Sequence, residues 1–124
     1  NPFIYLNVRR IDVLNVYSFY YVMKEGINIM KLMISQPMRC KTNEQIREER
    51  AELVRKLQAE GNEVIDTVLD ISENKSPIFY LAKSIELLDT VDAVVFMPGW
   101  QQARGCKIEH EVAVEYGKQV FYEN

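Results

Sequence analysis

Short apolar runs alternate with single amphipathic helix patterns over most of this chain, and that alternation constrains the fold more than any other feature. Lys31-Leu-Met-Ile-Ser35 reads as a short buried strand. Thr42 and Gln45 have the spacing of a capping box, and Ile46, Leu53, Val54 and Leu57 then mark one helical face that Glu60-Gly61-Asn62 closes. Residues 64–68 read as a second strand, and Glu73-Asn74-Lys75 as a polar loop. Ser76 is a natural N-cap with Pro77 at the first helical position; Ile78, Leu81, Ala82, Ile85 and Leu88 form the expected buried stripe. Residues 91–97 are a third apolar run, ended by Pro98-Gly99. A helix over about 104–116 follows, with Ile108, Val112, Ala113 and Tyr116 at helical spacing and Gly117 as its stop; residues 119–122 are a last strand. Strands separated by single helices pair in parallel through right-handed crossovers. The expected product is a flavodoxin-like three-layer α/β sandwich with a small parallel sheet, occupying residues 30–124.

The chain has 124 residues, enough for one domain with a modest core. Its formal net charge of -3 argues against a nucleic-acid polymer as partner. No apolar run approaches the roughly 18 residues of a membrane span. Cys40 and Cys106 fall in different predicted loops without CxxC spacing; one disulfide is formally possible, and free thiols in a reducing cytoplasm are the favoured reading. One histidine and no ligand cluster leave no expected metal site.

Residues 1–29 differ from the rest, being dense in aromatics, Asn and β-branched residues. Arg9 and Arg10 follow apolar residues and no cleavage site appears, so a secretory signal is not expected. Lys24-Glu25-Gly26 is encodable by a purine-rich, ribosome-binding-like stretch a short distance before the Met30 codon. One reading makes these residues a translated leader; the other makes about 11–25 an amphipathic helix packed on the domain or on a partner chain.

In open α/β sheets ligands bind at the carboxyl ends of the strands. Glu109 falls in the early turns of the last helix, expected one face away from the core, where the positive helix end would keep it ionised. Ser35 and Gln36 end the first strand; Arg39 and Arg104 lie on loops at the same edge and can hold a phosphate bidentately or pair with acidic neighbours. Trp100, after the Pro-Gly break, can stack on a base or pack against a neighbouring subunit. His110 is either a packing residue or a proton carrier near the site.

Gly105, Glu109 four residues on, Ala113 four beyond that, then Gly117-Lys118 before the last strand form a pattern that resembles the nucleoside 2-deoxyribosyltransferase superfamily, especially a small bacterial and phage branch with Arg-Gly-Cys-x-Ile-Glu-His. The resemblance runs from about Leu32 to the end. It implies Glu109 as the nucleophile in N-glycosidic bond transfer or hydrolysis, a nucleoside or nucleotide ligand, and no cofactor. It implies Ser35, Gln36, Arg39, Ser84, Trp100, Arg104 and His110 as substrate-binding residues along one crevice. Three positions depart from the family: Met33 stands where a Tyr is usual, Ser84 where an Asp assists the leaving base, and Met97-Pro98 where an Asp often follows the strand. These departures leave open a nucleotide-binding module or sensor without turnover. So small a core, with Trp100, Tyr116 and Tyr122 expected at the surface, implies a homo-oligomer.

Overall fold

The computed structural model describes residues 30–65 and 74–123. The expectations for residues 1–29, and for 66–68 of the second strand, lie outside them. Four strands form one parallel sheet in the order β2-β1-β3-β4, with β1 Lys31–Ser35, β2 Glu63–Val64, β3 Ala93–Phe96 and β4 Gln119–Tyr122. In the central pairing Leu32 lies opposite Ala93 and Ser35 opposite Phe96; Phe96 in turn lies opposite Tyr122. The three helices are α1 Asn43–Ala59, α2 Pro77–Leu88 and α3 Arg104–Glu115.

Side-chain alternation along the central strands sorts the core into two halves. Leu32, Ile34, Ala93, Val95 and Phe121 pack with Leu53 and Leu57 of α1. Met33, Val94, Phe96 and Val120 pack on the other side with Leu88 of α2 and with Cys106 and Ala113 of α3. The sheet is therefore the middle of three layers, an α/β fold consistent with the flavodoxin-like sandwich expected from sequence. Central residues such as Leu57 are fully buried, where truncation to Ala costs about 2–5 kcal/mol.

Local signals fix the helix starts. Thr42 Oγ1 accepts from Gln45 N at 3.1 Å, and Gln45 Oε1 accepts from Thr42 N at 2.9 Å, so both halves of the capping box are made. Ser76 Oγ accepts from Phe79 N, with Pro77 in the first turn. Gly117 has φ 76, the left-handed conformation that ends α3 without a Cβ penalty. At the amino edge, Asp92 Oδ2 accepts from Lys31 N at 2.8 Å and Asp92 N donates to Lys31 O at 2.8 Å, clamping β1 to the start of β3.

Three packing expectations need correction. In α2 only Leu88 is buried; Ile78 is 77 % exposed and Ala82 is exposed, while Leu81 and Ile85 are half-buried. Among the described residues α2 packs mainly against α3, so its outer positions stay exposed. In α3 the inward stripe is Cys106, Glu109 and Ala113, whereas Ile108 and Tyr116 are exposed. Cys106 itself lies in α3 rather than in a loop; it is a buried free thiol, and Cys40 is an exposed one.

Candidate functional site

The rotation of α3 turns Glu109 toward the sheet. Ser35, the last residue of β1, points to the same side as Met33, because strand side chains alternate. Its hydroxyl donates to Glu109 Oε1 at 3.4 Å. Ser35 is 1 % exposed and Glu109 is 8 % exposed. β1 and β3 are the central strands, and chain order reverses between them, so this contact sits at the topological switch point where such sheets bind ligands.

Burial overrides the helix end. Loss of solvation pushes the Glu109 carboxyl up to about 7, while the Ser35 hydrogen bond and the positive charge of Arg50 pull it partly back. The expectation of a fully ionised carboxylate is thus corrected: Glu109 lies in the second turn of α3, where the helix dipole has faded, and desolvation favours the neutral form. Cys106 completes the cluster. Burial lifts its thiol to about 11, the Ser35 hydrogen bond lowers it and the Glu109 charge raises it again, so it stays a protonated neighbour rather than a nucleophile.

Gly105 sits one helical turn before Glu109. A Cβ at Gly105 would lie 4.0 Å from Glu109 Oε1. That is an ordinary van der Waals separation, so Gly105 lies against the carboxylate without being sterically required there.

Gln36 follows Ser35 and points to the other face. Its Nε2 donates to Ile46 O of α1 at 2.9 Å, while its buried Oε1 accepts no hydrogen bond. Arg39, in the β1–α1 loop, and Arg104, at the start of α3, are exposed. Ser84 is half-buried in α2. The structure therefore brings Ser35 and Glu109 together and places Gln36, Arg39 and Arg104 along the same edge without contact to the carboxylate.

Trp100 and His110 form a second assembly at the ends of β3 and β4. Their rings stack with centroids 4.2 Å apart and 20° between planes. His110 Nε2 lies 2.6 Å from the Tyr122 hydroxyl. Phe96 packs beneath both, at 5.4 Å from Trp100 and 5.0 Å from His110. Burial lowers the His110 pKa and raises that of Tyr122.

Arg50 was missed in the sequence. It is 3 % exposed on α1, in line with Ile46, Leu53 and Leu57, and its charge acts on Glu109. A cation at a core position of an amphipathic stripe is a readable signal, because a buried charge needs a compensating partner. Among the described residues, no group of three or more His, Cys, Asp and Glu is placed to hold a metal ion, and no helix is long and apolar enough to cross a membrane.

The profile of a domain family of unknown function, DUF4406, matches residues 30–122. No curated protein matches the chain, nor does any solved structure. The match spans most of the chain and coincides with the sandwich that carries Glu109.

Proposed function

For this chain, which belongs to the DUF4406 family, we propose N-glycosidic bond transfer or hydrolysis on a nucleoside or nucleotide, with Glu109 as nucleophile. One observation carries the reading: a buried carboxylate, held by Ser35 at the carboxyl end of the central strand and lifted to about 7. At neutral pH about half of such groups are ionised, and the ionised half is a stronger base than an ordinary Glu. The nucleoside 2-deoxyribosyltransferase-like pattern around Gly105, Glu109 and Ala113 supports the same role.

In the first step a Glu109 carboxylate oxygen donates an electron pair to the anomeric carbon. The carbon–nitrogen bond breaks with its pair going to the leaving base, which takes a proton from water or an acid. A glycosyl ester of Glu109 remains. Attack by water or a second base then breaks that ester and returns the carboxylate. Ser35 hydrogen-bonds the carboxylate, and Arg50 stabilises its charge. Arg39 and Arg104, exposed at the same edge, suit a 5′-phosphate. We place the protein in the cytoplasm, in keeping with two free thiols, and expect a homo-oligomer with its site near the subunit contact.

A specific observation favours a second reading, a binding module without turnover. Among the described residues Glu109 is the only buried carboxylate, and the residue at the usual Tyr position, Met33, is fully buried in the core. Incubation with a panel of nucleosides and 5′-monophosphates, followed by chromatography of released base, separates the readings. Turnover in the parent that disappears in Glu109→Gln supports the enzyme. Turnover unchanged in Glu109→Gln would exclude this mechanism, and nucleotide binding without turnover in either would establish the binding module.

A further inference from the structure

The most apolar helix of the fold is the one least buried in it. Of the seven large apolar or aromatic side chains on α2, Leu88 alone is buried; Ile78 is 77 % exposed and the other five are half-buried. α1 has four such side chains and buries three of them, Ile46, Leu53 and Leu57. A helix apolar over most of its circumference belongs in an interior. Among the described residues α2 packs mainly against α3, and its outer side faces solvent. α3 extends the patch. His110 turns to Tyr122 of the edge strand β4, so Ile108, Val112 and Tyr116, at helical spacing on the opposite flank, turn toward α2. Ile108 and Tyr116 are exposed.

The charges about this face are balanced and ordered. Lys75 stands just before α2 and Asp89 just after it, while Lys83 and Glu86 between them lie 3.7 Å apart; all four are exposed. The amino-terminal end is cationic and the carboxyl-terminal end anionic. Such a face has no net charge to select an acidic or a basic partner, but it matches its own image turned end to end. Ala82, also exposed, puts a small side chain at the centre.

We infer that α2, with the adjoining flank of α3, is the two-fold interface of a homodimer, the two copies of α2 crossing antiparallel at Ala82. Lys75 and Asp89 are each seven positions from Ala82, so Lys75 of each copy comes level with Asp89 of the other. A two-fold contact requires this self-complementarity. Ile78 of each copy then lies against the turn of Ile85 and Glu86 in the other. A helix of 12 residues is about 18 Å long. The contact is therefore at the small end of stable interfaces, roughly 1,000 Å² in total, and should dissociate in the micromolar range. This gives the expected self-association a definite face, and it stands whether or not Glu109 turns over.

Sedimentation equilibrium of the full chain, at tens of micromolar, should give twice the mass of one chain. Ala82→Glu, at a position exposed in the single chain, should keep the fold by far-UV circular dichroism. It should raise the dissociation constant at least about ten-fold, because like charges meet on the two-fold axis. Lys75→Glu and Asp89→Lys should each raise it roughly three-fold, and the two together should return it toward the parent value. A monomeric parent would overturn the inference. In that monomer, a melting midpoint lowered by Ala82→Glu would show the face to be covered within the chain, and an unchanged one would assign it to a different partner. A dimer indifferent to Ala82→Glu would place the contact elsewhere. A dimer weakened by Ala82→Glu but not restored in the paired charge variant would overturn the antiparallel arrangement.

Discussion

Replacing Glu109 by Gln should change stability in a pH-dependent way, and the size of that change follows from burial. The carboxyl is lifted from 4.5 to about 7 in the folded chain. Between those values the folded state binds more protons than the unfolded one, so stability falls as pH rises. A shift of this size costs about 3 kcal/mol at pH 8, where both states are ionised, and about 1 kcal/mol at pH 5. Gln carries no charge to desolvate. Any fixed difference in its hydrogen bonding is independent of pH, so the useful quantity is the change in the parent-to-variant gap. Relative to the parent, Glu109→Gln should gain about 2 kcal/mol between pH 5 and pH 8, on the order of 10 °C in midpoint for a domain of this size. Urea or thermal melts of both proteins at pH 5, 6, 7 and 8 measure it. Glu60, also lifted to about 7 by burial, is common to both and drops out of the comparison. A gap that stays flat across this range would refute the buried, neutral-leaning Glu109.

Further predictions concern chemistry and packing. Base release, if present, should rise as pH passes through about 7 and Glu109 loses its proton; a pH–rate profile already flat from pH 5 would contradict that assignment. Arg50→Met should shift this limb to higher pH, because the positive charge that favours the ionised carboxyl is gone; carboxyl-carbon NMR of Glu109 gives the same reading where turnover is absent. Thr42→Ala should cost about 1 kcal/mol by denaturant melt, through loss of the side-chain half of the capping box. In the native state a thiol reagent should modify Cys40 readily and leave the buried, high-pKa Cys106 intact until the chain unfolds.

What the sequence made legible was set by local rules. The Thr42–Gln45 box, the Ser76-Pro77 start and the bounds of β1 and β4 follow from short-range chemistry, and they emerge in the fold as read. The orientation of α3 does not, because Ile108 and Tyr116 fit helical periodicity as well as Cys106 and Glu109 do. Apolar spacing alone cannot reveal that a carboxylate occupies the inward stripe. Arg50 differs, since its place in the line of Ile46, Leu53 and Leu57 is legible, and only the partner that its buried charge requires comes from the tertiary fold. Trp100 was legible as an aromatic near the carboxyl edge, but its stacking with His110 and Tyr122 joins α3 to β4, a tertiary pairing that no local pattern encodes.

The missing side chain at Gly105 has a consequence for chemical probing. Diazo esters alkylate protonated carboxyls and spare ionised ones. At neutral pH about half of the Glu109 population is protonated and reactive toward such a reagent, as is about half of the half-buried Glu60. A diazo compound should therefore tag both Glu60 and Glu109, and Gly105→Leu, which places a side chain against the Glu109 carboxyl, should lower labelling at Glu109 alone. Labelling at Glu109 that changes on unfolding would thereby report on the folded state, because burial is what holds this carboxyl protonated near neutral pH.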